Sequence, residues 1–81
     1  MYYCYIIYSA AKNKFYVGST SNLKDRINKH NSNHKGFTGG MLDWELKWSQ
    51  AFDQKKEAMA REKQIKAWKS RKMIENLIHK D

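Results

Sequence analysis

The segment Tyr2–Gly18, YYCYIIYSAAKNKFYVG, decides the fold of this chain. Residues Tyr2–Ser9 are mostly aromatic or β-branched, which is typical of a strand. The short polar segment Ala10–Lys14 suits a hairpin connection. Phe15–Gly18 is predicted to be a second short strand, so we expect an antiparallel hairpin at the start of the chain.

A helix and a loop are predicted after the hairpin. Residues 19–22 (STSN) offer several helix N-cap side chains. Leu23 and Ile27 then recur at helical spacing, and the predicted helix runs from Leu23 to about Asn31. Residues 31–40 (NSNHKGFTGG) contain three glycines and little periodicity, so they are predicted to form a loop.

The second half of the chain is predicted to add one strand and two helices. Residues 44–50 (WELKWSQ) alternate between apolar and polar side chains, which indicates a strand with one buried face. Strong helix formers follow from Gln54 onward, and Ser70 either interrupts that helix or caps another one over Arg71–His79. The order β-β-α-β-α-α predicts a mixed α/β fold, α+β-like, with a mainly antiparallel three-stranded sheet and helices against it.

Length and charge limit the classes of function. The 81 residues allow one small domain over 1–81, and 16 Lys and Arg against 8 Asp and Glu give a net charge of +8. This excess favours a polyanionic partner, nucleic acid before an anionic membrane. No apolar run approaches the roughly 20 residues of a membrane helix, so no membrane is expected. A single cysteine, Cys4, argues against a disulfide or a multi-cysteine metal site and favours a cytoplasmic location.

Glu62 is a carboxylate in an unusual place. On the second predicted helix, Ala58, Glu62 and Ile65 share one face, and that face is expected to pack on the sheet. A buried carboxylate is costly unless it is paired, hydrogen-bonded or bound to a cation. Pattern alone therefore leaves three interpretations open: a functional carboxylate, an ion pair with a helix cation such as Arg61 or Lys66, or a helix face that is assigned in the wrong phase.

Four other side chains are candidates for a site. Tyr5 and Tyr16 are brought together by the hairpin, and Gly18 is expected to leave space beside them for a ligand. Arg26 and His30 lie one helical turn apart, and arginine suits bidentate contact with phosphate. The structural alternatives are an ordinary aromatic sheet face, a solvated cation and a histidine favoured by the helix dipole.

Taken together, these residues resemble the GIY-YIG nuclease family. Tyr3-Cys4-Tyr5 is similar to its first motif, with Tyr3 and Cys4 standing where the family has Gly and Ile. FYVGSTSNLKDRINKH (residues 15–30) is similar to its second motif and first helix. EAMAREKQIKAWKSRK (residues 57–72) is similar to the small stand-alone bacterial members. The resemblance covers nearly the whole chain and implies a single nuclease domain over 1–81, with a three-stranded antiparallel sheet flanked by helices.

The resemblance implies divalent-metal-dependent hydrolysis of DNA phosphodiesters. Tyr5 and Tyr16 match the two motif tyrosines, of which either would orient or deprotonate the attacking water. Arg26 matches the arginine that would stabilise phosphate charge, and His30 would relay a proton or contact phosphate. Glu62 matches the single metal-binding glutamate, with Mg²⁺ or Mn²⁺ as the cofactor because a hard cation accepts one carboxylate plus phosphate and water oxygens.

Nucleic-acid contacts are expected from the cations. Eight of the 16 basic residues fall between Lys55 and Lys72, and Lys63 and Lys66 start a ridge that Lys69 and Lys72 are expected to extend. The predicted binding residues are Lys24, Lys29, Thr38, Lys63, Lys66, Lys69 and Lys72. Thr38 and Phe37 lie where the family often presents substrate contacts. Asn76 is the only late candidate for a polar group that completes the site, with an exposed helix residue as the alternative.

Three hypotheses of function follow. The first is a metal-dependent endonuclease acting on DNA with little sequence preference, with single-stranded and branched substrates both open. The second is a non-catalytic or weakly active nucleic-acid-binding module of the same fold. The third is an interaction domain whose basic helix contacts an acidic protein, although the sequence itself implies no partner protein.

Overall fold

A computed structural model describes residues 1–32 and 43–80, and it confirms the predicted order of elements. The observed order is β-β-α-β-α-α. The elements are β1 (Tyr2–Ser9), β2 (Lys14–Thr20), α1 (Leu23–Ser32), β3 (Trp44–Phe52), α2 (Lys55–Trp68) and α3 (Arg71–His79). Both later strands are longer than predicted, and no helix in these two ranges is long and apolar enough to cross a membrane.

The sheet has the order β2-β1-β3, and both pairings are antiparallel. The aromatic and β-branched strand β1 is therefore central and is covered on both faces. Its residues Cys4, Tyr5, Ile6 and Ile7 are at most 1% exposed. The predicted two-faced pattern of β1 is confirmed, because Tyr5 and Ile7 pair with Gly18 and Tyr16 while Cys4 and Ile6 lie on the opposite face.

The predicted single buried face of β3 is wrong. The register to β1 shifts between Ile6 and Ile7, which pair with Trp48 and Leu46, so Lys47 is an extra residue in a β-bulge. Because the bulge reverses the alternation, Trp44 and Trp48 lie on opposite faces of the sheet. Leu46, expected in the core, is 42% exposed.

The helices divide between the two faces of the sheet. Ile65 of α2 packs against Cys4, Ile6 and Val17, and apolar residues of α3 complete this core. On the other face, α1 contacts β1 and β3, and its His30 ring lies 5.8 Å from the ring of Trp44. The predicted common face of α2 is confirmed, since Ala58 and Ile65 are fully buried.

The helix ends confirm two predicted caps and correct one boundary. The Asn22 side chain accepts a hydrogen bond from Asp25 N at the start of α1, and Ser70 Oγ accepts one from Met73 N at the start of α3. The predicted loop does not begin at Asn31, because α1 continues to Ser32. The rest of that predicted loop, residues 33–40, lies outside the described residues.

The predicted basic ridge is interrupted. Helix α2 ends at Trp68, and Lys69 has a left-handed backbone with φ 49°. Lys72 then belongs to α3, which starts in a new direction from the Ser70 cap. Only Lys63 and Lys66 therefore share the ridge beside Glu62.

Candidate active site

Two tyrosines lie together at the β1–β2 pairing. Tyr5 pairs with Gly18, and the ring centroids of Tyr5 and Tyr16 are 6.3 Å apart. A Cβ built on Gly18 would lie 2.6 Å from the Tyr5 hydroxyl and 2.8 Å from Tyr5 Cζ. The space predicted beside Gly18 for a ligand is therefore filled by the Tyr5 phenol, and glycine is needed because the ring crosses directly over the strand.

Helix α1 brings His30 against both tyrosines. The His30 ring centroid lies 4.8 Å from that of Tyr16, and His30 Nε2 lies 3.5 Å from the Tyr5 hydroxyl. The end of this helix is held to β3 by Asn31, whose amide donates to Trp44 O (3.0 Å) and accepts from Trp44 N (2.9 Å). This two-point contact positions the neighbouring His30 ring.

The pKa shifts of Tyr5 and His30 determine the charge of the two groups. Burial raises the pKa of the Tyr5 phenol to about 12, with Tyr16 adding to the rise. Burial, followed by the charge of Arg26, lowers the pKa of His30 below its usual value. At neutral pH the phenol is therefore protonated and the imidazole neutral, so the contact joins two uncharged groups.

Arg26 lies one turn before His30, with its side chain exposed. Its positive charge contributes to the lowered pKa of His30 and of Glu62. It also lines a small cavity together with Ser19. The charge of Arg26 therefore acts on both His30 and Glu62.

Glu62 of α2 meets the end of β2. Its carboxylate accepts hydrogen bonds from Ser19 Oγ and from Lys66 Nζ, both at 2.7 Å. Burial alone would raise the pKa of this carboxyl, but the hydrogen bonds from Lys66 and Ser19 outweigh it and the pKa is lowered. The carboxylate is therefore ionised at neutral pH, and its side chain is 22% exposed.

The ion pair that pattern analysis left open is present, and its partner is Lys66. Arg61 instead donates to Gln64 and lies over the rings of Trp48 and Trp68. The Lys66 amino group also lies 5.8 Å from the centre of the Tyr16 ring. Lys66 therefore links the Glu62 carboxylate to the ring of Tyr16. The sequence pattern predicted Lys66 as a basic residue of the ridge and did not predict its contact with Tyr16.

Ser19 is the site residue that sequence analysis missed. By its place in the sequence it is one of four helix-capping candidates, but its hydroxyl donates to Glu62 from the end of β2. The only available signal was its position next to Gly18, because no periodicity distinguishes a polar residue at a strand end.

The arrangement offers a cation one carboxylate and no closed cage. Among residues 1–32 and 43–80 no group of three or more His, Cys, Asp and Glu side chains converges. Mg²⁺ commonly binds through one or two carboxylates and completes its shell with water and substrate phosphate. An ionised, partly exposed Glu62 with hydroxyl oxygens nearby fits such an open site for Mg²⁺ or Mn²⁺.

The remaining predicted contacts are dispersed. Lys63 and Lys66 border a groove of about 480 Å³ that Glu62 also lines. Asn76 is exposed on α3 and lines a different groove with Trp68 and Met73, so the structure does not bring it into the cluster. The predicted contacts Thr38 and Phe37 lie outside the described residues. The other predicted cations are exposed on α1, at the end of α2 and on α3: Lys24, Lys29, Lys69 and Lys72.

The chain matches known proteins in family and in fold. A family model described as the GIY-YIG catalytic domain matches residues 1–76. The chain is also similar to the UPF0213 protein BH0048 from Bacillus halodurans, solved by solution NMR, with 34% identity and a TM-score of 0.60. That match covers 96% of this chain and 83% of the other. No curated protein matches. The chain belongs to the GIY-YIG catalytic domain family.

Proposed function

We propose that this protein is a divalent-metal-dependent endonuclease that hydrolyses DNA phosphodiester bonds with little sequence preference. The carrying observation is that Glu62, ionised and held by Ser19, lies in one contact network with Tyr16, His30 and Tyr5. Membership in a catalytic-domain family supports the reaction class. The protein groups around the carboxylate include cations and hydroxyls that can bind phosphate oxygens, and phosphate contacts carry no sequence information.

The carboxylate of Glu62 would hold Mg²⁺ or Mn²⁺. When bound, the cation would supply positive charge for the phosphate oxygens. Lys66 currently occupies one oxygen of Glu62, but its side chain is 51% exposed. Ion pairs of this kind contribute about 0–1 kcal/mol, so displacement of Lys66 costs little and frees its amino group for a phosphate.

The two tyrosines have different roles in this proposal. Tyr5 is 1% exposed, stays protonated, and fixes the His30 ring through its hydroxyl. Tyr16 is 42% exposed and lies between His30 and Lys66, so its hydroxyl is the one that can reach and orient an attacking water. Arg26 stabilises the negative charge that develops on the phosphate oxygens.

A direct test compares cleavage of single- and double-stranded DNA in Mg²⁺, Mn²⁺ and chelator. We expect metal-dependent cleavage that Glu62→Gln and Arg26→Ala each reduce at least ~100-fold, the scale of one lost charge-stabilising contact of ~2.7 kcal/mol. Glu45→Gln is the matched control, because Glu45 is an exposed carboxylate of β3 that pairs with Lys47. Unchanged cleavage by Glu62→Gln would refute the site.

A second candidate function is a nucleic-acid-binding module without useful activity. The specific observation in its favour is the 2.7 Å contact of Lys66 with Glu62, since a cation must compete with that ammonium group. Binding of DNA by the wild-type protein without cleavage in either metal would select this candidate. Cytoplasmic location remains part of the proposal.

A further inference from the structure

A second polar cavity lies beside the site, and Ser19 is one of its lining residues. Its volume is about 200 Å³, and it lies where the end of β2 meets the first turns of α1 and α2. Its polar lining consists of two cations and four hydroxyl-bearing residues: Arg26, Lys55, Tyr2, Ser19, Thr20 and Ser21. None of the residues assigned above to the metal or to water lines it.

The charges of this cavity are unbalanced. No carboxylate is among its lining residues. In residues 1–32 and 43–80 the ion pairs of lysine and arginine are made by Lys47, Lys66 and Arg71, so Arg26 and Lys55 both keep their charge for a ligand. Two such cations with hydroxyl donors around them match the oxygens of a phosphate group.

The cavity and the proposed catalytic cluster share one wall. The hydroxyl of Ser19 lines the cavity and also donates to Glu62, and Arg26 lines the cavity while acting electrostatically on Glu62. A phosphate in the cavity would therefore be a close neighbour of one at Glu62. The volume equals that of several water molecules at about 30 Å³ each in the liquid, which is enough for one phosphate group.

We propose that this cavity binds the backbone phosphate next to the one that is hydrolysed, on the same DNA strand. The inference rests on the proposed function, because it takes the scissile phosphate to lie at Glu62. Lys55 and the hydroxyls hold the neighbouring phosphate, and Arg26 lies between the two phosphates. This second contact sets the position of the strand over the carboxylate without reading its bases.

The first experiment measures binding without cleavage. A fluorescent single-stranded hexanucleotide is titrated in chelator with wild type, Lys55→Met and Lys14→Met, whose lysine is exposed at the far end of β2. We expect Lys55→Met to bind about tenfold more weakly, the scale of one charge-assisted hydrogen bond, and its salt slope to fall by about 0.7. Equal losses in both variants would overturn the proposal. Equal thermal midpoints confirm that both variants fold.

The second experiment locates the phosphate. Hexanucleotides that each carry one neutral methylphosphonate linkage are bound in chelator and then cleaved in Mg²⁺ or Mn²⁺ by wild type and Lys55→Met. We expect one linkage whose neutralisation weakens wild type about tenfold and Lys55→Met hardly at all, adjacent to the cleaved bond.

The outcomes separate the two proposals. A Lys55-dependent linkage that is itself the cleaved bond, or no such linkage, would overturn the second phosphate site. Binding without cleavage by wild type would instead refute the proposed function and, with it, the position of this phosphate beside a hydrolysed bond. The chelator titration would still decide whether Lys55 holds a phosphate.

Discussion

Gly18→Ala tests the packing on which the site depends. The added methyl group would lie 2.6 Å from the Tyr5 hydroxyl oxygen, 2.8 Å from Tyr5 Cζ and 3.1 Å from Tyr16 Cε2. Favourable contacts between carbon atoms lie at about 3.5–4.0 Å, so all three distances are too short and the two to Tyr5 are much too short. The Tyr5 ring is 1% exposed, so it is enclosed by neighbouring atoms and cannot swing into solvent to relieve the contact.

Two opposing effects set the magnitude. Replacing a strand glycine by alanine would by itself stabilise the fold by about 0.5–1 kcal/mol, because the unfolded chain loses freedom. Overpacking a filled site costs about 1–3 kcal/mol. The clash wins, and we expect a net loss of about 1–2 kcal/mol in the free energy of unfolding. For a domain of this size that corresponds to a melting temperature lower by about 4–16 °C.

The assay is thermal and urea denaturation followed by circular dichroism. Ser49→Ala is the control, because Ser49 pairs with Tyr5 on the other side of β1 and is exposed, so a change within about 0.5 kcal/mol is expected. Tyr5→Phe combined with Gly18→Ala removes the closest contact and is expected to recover part of the loss. A melting temperature of Gly18→Ala equal to or above wild type would show that the ring does not cross Gly18.

Two further predictions concern the attachment of α1. Asn31→Ala removes both the donor to Trp44 O and the acceptor for Trp44 N, so we expect a loss of about 1–3 kcal/mol in the free energy of unfolding and faster amide exchange at Trp44; unchanged exchange would contradict the two-point contact. The folded-state pKa of His30 is lowered, so below pH ~6.5 the unfolded chain binds the extra proton, and stability should fall as the pH drops toward the folded-state pKa. His30→Gln should remove that part of the pH dependence in denaturation titrations, and a wild-type slope retained in the variant would assign it to another group.

Much of the fold and the central carboxylate could be predicted from local pattern. The hairpin, the α1 cap at Asn22 and the α3 cap at Ser70 depend on neighbouring residues, and the structure confirms them. Glu62 stood out because Ala58 and Ile65 define a buried face by spacing alone, and both are fully buried. Helical and strand periods are local properties, so they can be read from consecutive residues.

Other features depended on partners distant in sequence. The bulge at Lys47 separates Trp44 from Trp48, and it exists only in the pairing of β3 with β1. The left-handed Lys69 ends a ridge that a continuous helix would have extended. The ion pair of Lys66 with Glu62 was one of several alternatives that spacing left open.

The sequence by itself therefore determined the elements, their order, the excess of positive charge and the place of the Glu62 carboxylate on a helix face that packs on the sheet. Tertiary structure alone decided that Tyr5 fills the space over Gly18, that Ser19 holds the carboxylate, and that Arg26 faces a second cavity. The physical reason is that local periodicity assigns a side chain to a face. What occupies the space beside that face depends on strand register and helix packing across the whole chain.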